Sequence, residues 1–144
     1  MALRRIKKEL TLKEYEIFAE NLGPIEHLTL GGGEPTLRQD LSDIAITFYK
    51  KCSVRNISMP SNGIRPDLLE YHVEKILKNC PRLVLKVSLS IDGYKDEHDK
   101  LRGVLGNYER LIESDKVLRS LRKKYNNLYY IINTVFTGQN QNNV

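Results

Sequence analysis

Leu83-Val84-Leu85-Lys86-Val87-Ser88-Leu89-Ser90-Ile91-Asp92 alternates strictly, with Leu83, Leu85, Val87, Leu89 and Ile91 on one side and Val84, Lys86, Ser88, Ser90 and Asp92 on the other. A period of two sends successive side chains to opposite faces of a sheet, so this stretch predicts a strand. One of its faces is apolar throughout, and the other turns polar toward the C-terminal end.

Working outward, Arg55 to Met59 reads as a strand closed by Pro60-Ser61-Asn62-Gly63, and Ile25 to Leu30 as a short strand running into Gly31-Gly32-Gly33-Glu34-Pro35. Leu128 to Phe136 makes a fourth strand, in which Asn133 shares a face with Tyr129, Ile131 and Val135. Helical spacing fills the intervals. Leu41, Ile44, Ala45 and Phe48 form one stripe, and Leu69, Val73, Ile76, Leu77 and Cys80 form another behind Pro66, a residue suited to a first helical turn. Tyr108, Leu111, Leu118, Leu121 and Tyr125 form a further stripe after a charged, glycine-containing loop from Gly93 to Gly106. Ahead of the first strand, Thr11 as N-cap and Glu14 three positions on make a capping box, with Leu10 against Tyr15 as a hydrophobic staple. Tyr15, Phe18, Ala19 and Leu22 then follow at helical spacing up to Gly23-Pro24.

The resulting α, β, α, β, α, β, α, β order predicts βα units and a parallel α/β sheet, open or curved into a barrel. In either architecture ligands bind at the C-terminal ends of the strands. Gly31 to Glu34, Ser61 to Gly63, Ser90 to Gly93 and Asn133 all fall there.

Composition narrows the function. The chain has 144 residues, 40% of them hydrophobic and 28% charged, which suits a single domain or part of one. No apolar run approaches the roughly 20 residues of a membrane span, and the basic start is not followed by the apolar segment of a signal peptide, so the reading is a cytoplasmic protein without membrane partners. The net charge is +5. Residues 1–13 carry five basic side chains against Glu9 alone, leaving the other 131 residues near +1. A second basic group, Lys116, Arg119, Arg122, Lys123 and Lys124, sits at a helix end, where it complements the helix dipole. Charge confined in this way, without interleaved aromatics, argues against a nucleic-acid partner. Cys52 and Cys80 lie 28 positions apart, which matches neither a disulfide framework nor close zinc pairs. They read as buried apolar residues.

At the strand ends, three consecutive glycines leave backbone N–H and C=O groups free of Cβ obstruction, and Glu34 adds a carboxylate, an arrangement suited to an ammonium group. It does not suit a phosphate, and the loop lacks both the P-loop and the dinucleotide-binding spacing. Ser90 and Asp92 can bind vicinal hydroxyls, and Arg102 beside Gly103 can clamp a carboxylate. Asp96, His98 and Asp99, in a charged loop, are expected to face water rather than a metal. Alternatively, Asp92-Gly93 is merely a turn, and Glu34 an exposed residue on a tight one.

Ammonium, carboxylate and ribose occur together on S-adenosylmethionine. Gly31-Gly32-Gly33-Glu34-Pro35-Thr36-Leu37, Ser61-Asn62-Gly63, Ser88-Leu89-Ser90-Ile91-Asp92-Gly93, His98-Asp99-Lys100-Leu101-Arg102-Gly103 and Ile132-Asn133-Thr134-Val135 resemble, in order and spacing, the strand-end motifs of radical S-adenosylmethionine enzymes. The resemblance covers roughly residues 10 to 140. It implies a partial (β/α)6 barrel, about four of whose parallel strands are present, and a [4Fe-4S] cluster that reductively cleaves S-adenosylmethionine to a 5′-deoxyadenosyl radical. That radical abstracts a substrate hydrogen, and an electron donor for the cluster is an implied partner. Carried over by motif, Gly31, Gly32, Gly33 and Glu34 hold the methionine amino group, Ser90 and Arg102 contact ribose or carboxylate, and Asn62, Asp92 and Asn133 line the site.

The stretch from His98 to Gly103 is most similar to members with a C-terminal extension for auxiliary clusters, including peptide-modifying maturases. Asn133 to Gln139 is also similar to the cyclase of molybdenum-cofactor synthesis. The substrate implied is therefore a peptide or a small molecule. The family's C-x-x-x-C-x-x-C segment does not occur in these residues, and Cys52 and Cys80 do not match its position. The expectation is a single incomplete core domain over residues 1–144, truncated at both ends, with cluster ligands upstream of Met1 and no activity alone. The competing expectation is a cluster-free α/β binding module that keeps only the fold or the S-adenosylmethionine pocket.

Overall fold

The computed structural model describes residues 9–138 and 140–141. Most of the basic start, residues 1–8, lies outside the described residues, as do Gln139 and residues 142–144 of the polar C-terminal stretch. The elements run α1 (Leu12–Leu22), β1 (His27–Thr29), α2 (Leu41–Lys51), β2 (Asn56–Ser61), α3 (Pro66–Asn79), β3 (Val84–Ser90), α4 (Asp96–Arg102), α5 (Asn107–Lys124) and β4 (Leu128–Asn133). One turn of 3-10 helix, Pro35–Leu37, follows the glycine loop.

The four strands form one sheet in the order β1-β2-β3-β4, every pair parallel. Ile57 and Met59 of β2, Leu85, Val87 and Leu89 of β3 and Leu128 of β4 are buried in one cluster with Ile44 and Phe48 of α2, Leu69, Val73 and Ile76 of α3, and Leu118 and Leu121 of α5. The alternation in β3 thus separates a helix-covered face from an open one. The open face is crossed by the register rows Ser58–Lys86–Tyr129 and Pro60–Ser88–Ile131, and ends on Ser90–Asn133. A parallel sheet ordinarily has both faces covered. One bare, polar-ended face is consistent with the inner wall of a partial barrel.

Local signals hold where they are strongest. Thr11 N–H donates to Glu14 Oε2 at 2.7 Å and Glu14 N–H to Thr11 Oγ1 at 3.3 Å, completing the capping box of α1. Pro66 occupies the first turn of α3. In the last turns of α5, Arg119 pairs with Asp115, Lys124 with Glu74, and Arg122 stacks over Tyr129.

The ends of β1, β2 and β3 shift by one or two residues, β2 continuing through Pro60 and Ser61, and three larger features differ from the expectation. The segment from Gly93 to Gly106, read as a loop, contains α4. β4 ends at Asn133 rather than Phe136, because β3 runs out at Ser90 and the last bond between them is Ile91 N–H to the Asn133 carbonyl at 2.9 Å. Of the α1 stripe only Ala19 is buried. Phe18 and Leu22 instead line an apolar groove with Ile25, Leu28 and Leu41 at the β1 edge of the sheet, beyond which no described strand lies. No described helix is long and apolar enough to cross a membrane.

Candidate functional site

The C-terminal ends of the strands carry two connected clusters. At β1 and β2 the centre is Glu34, which caps the 3-10 turn. Its Oε1 accepts from Thr36 N–H (3.2 Å), Thr36 Oγ1 (2.6 Å) and Ser61 Oγ (2.9 Å), and its Oε2 accepts from Asn62 N–H (2.6 Å). Thr36 and Ser61 are buried. The carboxylate therefore ties the glycine loop to the end of β2, and most of its acceptor capacity is used within the chain. This corrects the picture of an exposed Glu on a tight turn.

The glycines differ in what they need. Gly32 has φ 137°, a conformation that L side chains rarely adopt. Gly33 has nothing within 4 Å of where a Cβ would stand. No internal packing demands glycine there, so the loop presents bare backbone to open space, a surface that fits an approaching polar ligand. Asn62 uses its Oδ1 to accept the Ile64 N–H at 2.9 Å, shaping the turn that follows β2.

At β3 and β4 the centre is Asp92. Its Oδ2 lies 2.8 Å from Arg102 Nη2 of α4, and its Oδ1 accepts the Val135 N–H at 3.1 Å. Its backbone N–H donates to His98 Nδ1 at 3.1 Å, and its carbonyl accepts from Asn140 Nδ2 at 2.8 Å. Arg102 thus clamps a carboxylate of its own chain, while its buried Nε has no partner among the described residues. Ser90 and Asn133 are register partners. Asn62 stands one residue past the Ser61–Leu89 pair, level with Ser90.

His98 and Asp99 do not face water. Both are buried. Asp99 receives Tyr108 N–H at 2.8 Å and Gly106 N–H, so it caps α5 from the preceding helix. Burial pushes its carboxyl up, but the N–H groups of Tyr108, Gly106 and Asn107, with His98, outweigh this and hold it below the usual value. A carboxylate depressed in the folded state stabilises above its unfolded pKa, and that stability is lost as pH falls through the folded one. Asp99→Asn therefore lowers the melting temperature at pH 7, and the gap to wild type closes below about pH 4, in the acidic range where wild-type Asp99 also protonates. Melting curves from pH 7 to pH 3 check this; a gap that stays constant contradicts it.

Nothing described supplies a metal site. Among the described residues no three His, Cys, Asp or Glu side chains are grouped to hold a metal ion. Cys52 caps the C-terminus of α2 and Cys80 that of α3. Their carbonyls accept from Ile25 N–H and Leu83 N–H, which puts both at the strand ends opposite the glycine loop. Both thiols are buried, and burial pushes Cys80 up to about 11, so neither is a thiolate at neutral pH. Among the described residues no set of side chains would hold an iron-sulfur cluster, and the bare backbone of the glycine loop is open to a ligand.

Three participants escaped the sequence reading. Asn107 and Asn140 are ordinary polar residues whose partners, His98 and Asp92, lie 9 and 48 positions away. His72, buried on α3, has Nδ1 3.3 Å from Ser42 Oγ. Burial pulls its pKa down against the opposing Thr36 backbone. An unpaired signal such as a lone histidine in an apolar stripe was the one visible clue.

The family model described as Radical SAM superfamily matches residues 2–144. An AdoMet-dependent heme synthase from Methanosarcina barkeri is 34% identical over 116 residues, 77% of this chain and 31% of that protein. A GTP 3′,8-cyclase from Haemophilus influenzae is 30% identical over 124 residues, 81% of this chain and 37% of that protein. An Fe-coproporphyrin III synthase from Methanosarcina barkeri is 28% identical over 105 residues, 72% of this chain and 25% of that protein. The chain spans about a third of the length of the first two of these relatives. With its four parallel strands, its strand-end glycine loop and this match along nearly its whole length, the chain belongs to the radical SAM superfamily.

Proposed function

We propose that this chain is the S-adenosylmethionine-binding part of a radical SAM enzyme that acts on a peptide or a small molecule. The observation that carries the reading is the glycine loop: Gly33 has open space where a Cβ would stand, and Glu34 fixes the loop through four hydrogen bonds. In this reading the carbonyls of Gly31, Gly32 and Gly33 accept from the methionine ammonium, with the remaining lone pair of Glu34 Oε2 as a further acceptor. Ser90 and Arg102, whose guanidinium Asp92 holds in place, take ribose hydroxyl and carboxylate. Asn62, Asp92 and Asn133 line the same edge. Bound S-adenosylmethionine supplies the radical chemistry characteristic of the family. The [4Fe-4S] ligands then lie outside these residues, and an electron donor is the required partner.

The cluster-free binding module is the second reading, favoured by the position of Cys52 and Cys80. Anaerobic preparation of the full-length gene product with iron and sulfide separates the two. A reduced [4Fe-4S] spectrum that changes on adding S-adenosylmethionine supports the enzyme; binding of S-adenosylmethionine without any cluster supports the module. Gly33→Ala addresses the loop itself. Because the site is open, the variant unfolds like wild type, yet its methyl group stands where the ligand approaches, and affinity falls about tenfold or more, roughly 1.4 kcal/mol. Calorimetric titration with S-adenosylmethionine reads this, and unchanged affinity would remove the loop from the site.

A further inference from the structure

The motif His98-Asp99-Lys100-Leu101-Arg102 contributes more than its arginine. We propose that His98 is a positioning residue that, as a neutral hydrogen-bond acceptor, locks the end of β3 so that Asp92 holds Arg102 toward S-adenosylmethionine. The inference rests on the reading of this edge as the S-adenosylmethionine site, and it assigns a role that the binding residues themselves do not cover.

The geometry is closed on both sides of the ring. His98 is fully buried on α4. Nδ1 accepts the Asp92 N–H at 3.1 Å, so the proton of the neutral ring sits on Nε2. Nε2 lies 2.9 Å from the side-chain amide of Asn107, the second residue of the Gly106-Asn107-Tyr108 turn that Asp99 caps. The atom placed there is Nδ2, which cannot face an Nε2–H, while the Asn107 oxygen is buried without a partner; turning the amide over satisfies both, and the oxygen is assigned to the Nε2–H on that ground. One imidazole therefore joins the β3 end to the start of α5. Gly93 fits the same contact, since a Cβ there would stand 3.1 Å from Glu97 Cβ and 3.2 Å from His98 N.

Asp92 is the beneficiary. Its backbone is fixed by His98 and Asn140, and this leaves its carboxylate to face Arg102 on one side and Val135 N–H on the other. The groups around the ring are Asp92 two residues past β3, Asp99 and Arg102 from α4, and Tyr108 from α5, whose ring centroid is 6.2 Å away. Burial, then Arg102, lowers the His98 pKa against the opposing pull of Asp92 and Asp99. Protonation places an N–H against the Asp92 N–H and breaks the lock.

Two substitutions separate the acceptor from the bulk. Asparagine places an oxygen near the position of Nδ1, whereas leucine fills the space with no acceptor. In the full-length protein, two readouts are taken for wild type, His98→Asn and His98→Leu between pH 8 and pH 5. These are exchange protection of the Asp92 amide without ligand, and S-adenosylmethionine affinity by calorimetry. Expected for His98→Leu is a loss of about tenfold in both, while His98→Asn keeps both within about threefold. Wild type loses both together as pH falls below the ordinary histidine range, and His98→Asn shows no such step. Should His98→Leu bind S-adenosylmethionine like wild type, or should His98→Asn retain the step, the proposal is overturned. If wild type binds no S-adenosylmethionine at any pH, the functional reading fails by itself. The Asp92 amide still decides in that case, since undiminished protection in His98→Leu overturns the lock.

Discussion

Glu34→Ala lowers the unfolding free energy by about 2–4 kcal/mol, because it strips the acceptor from four donors on three residues, two of them buried, at roughly 1–3 kcal/mol for each buried group left unpaired. The range stays below the simple sum because the Thr36 and Ser61 hydroxyls can turn toward other acceptors and Asn62 is only partly buried. The loss is also specific in kind. Glu34 joins the loop after β1 to the turn after β2, so its removal frees the glycine loop while leaving the apolar core intact. S-adenosylmethionine affinity then falls further than the stability change alone accounts for, even at temperatures where the variant is fully folded. Glu34→Gln separates the two oxygens: its carbonyl can keep the three donors to Oε1, while its NH2 opposes the Asn62 N–H. The expected cost is about 1.5–2 kcal/mol, the lower part of the range for one lost hydrogen bond to a charged group. Urea denaturation of both variants checks the order. Glu34→Ala within about 0.5 kcal/mol of wild type, the range of an ordinary surface substitution, would show that these bonds are exchanged for water at no cost.

The contrast between Glu34 and β3 explains what could be read from the sequence. In β3 the information is local: alternate residues of one stretch decide which face is buried, and Leu83, Leu85, Val87 and Leu89 are all fully buried as that pattern requires. The capping box of α1 is local in the same sense, with both partners three positions apart. Glu34 has its deciding partners 27 and 28 positions away, at Ser61 and Asn62. Nothing in a glycine-rich loop distinguishes a carboxylate that waits for a ligand from one that is already engaged. α4 was missed for a related reason. Its seven residues, Asp96 to Arg102, are nearly all charged and carry no apolar stripe. It buries polar groups instead, through Asp92, Gly106, Asn107 and Tyr108, which only the folded chain brings to His98 and Asp99. Periodicity reports burial of apolar side chains, and a helix held by polar contacts falls outside it. The parallel sheet, by contrast, follows from alternation and connection rules, and these put Gly31 to Glu34, Ser61 to Gly63, Ser90 to Gly93 and Asn133 at the C-terminal ends of strands, where the fold has them.

The glycines carry the same lesson into energetics, since Gly63 and Gly33 both follow the C-terminal end of a strand and have opposite demands. Gly63, after β2, has φ 69°, and a Cβ there would stand 3.1 Å from the Cα of Leu111 and 3.4 Å from its Cβ. Leu111 is a buried residue of α5, and three positions on Ser114 Oγ donates to the Gly63 carbonyl at 2.9 Å. The turn is thus seated directly on the helix backbone, which cannot swing aside as a side-chain end could. Gly63→Ala meets two costs together: about 1–2 kcal/mol for a left-handed L-residue and about 1–3 kcal/mol for overpacking. The expected loss is about 2–5 kcal/mol, large against a total stability of roughly 5–15 kcal/mol for a single domain. Because α5 also carries the Asn107 contact to His98, displacing it loosens the β3 end, and the Asp92 amide loses exchange protection in the same variant. Equilibrium denaturation of Gly63→Ala beside Gly33→Ala tests the distinction. The first is destabilised with its ligand affinity reduced only through the fold, and the second is stable with its affinity reduced directly. Equal stability of the two would mean that the turn after β2 can shift off α5, and that the close approach at Leu111 is not what fixes it.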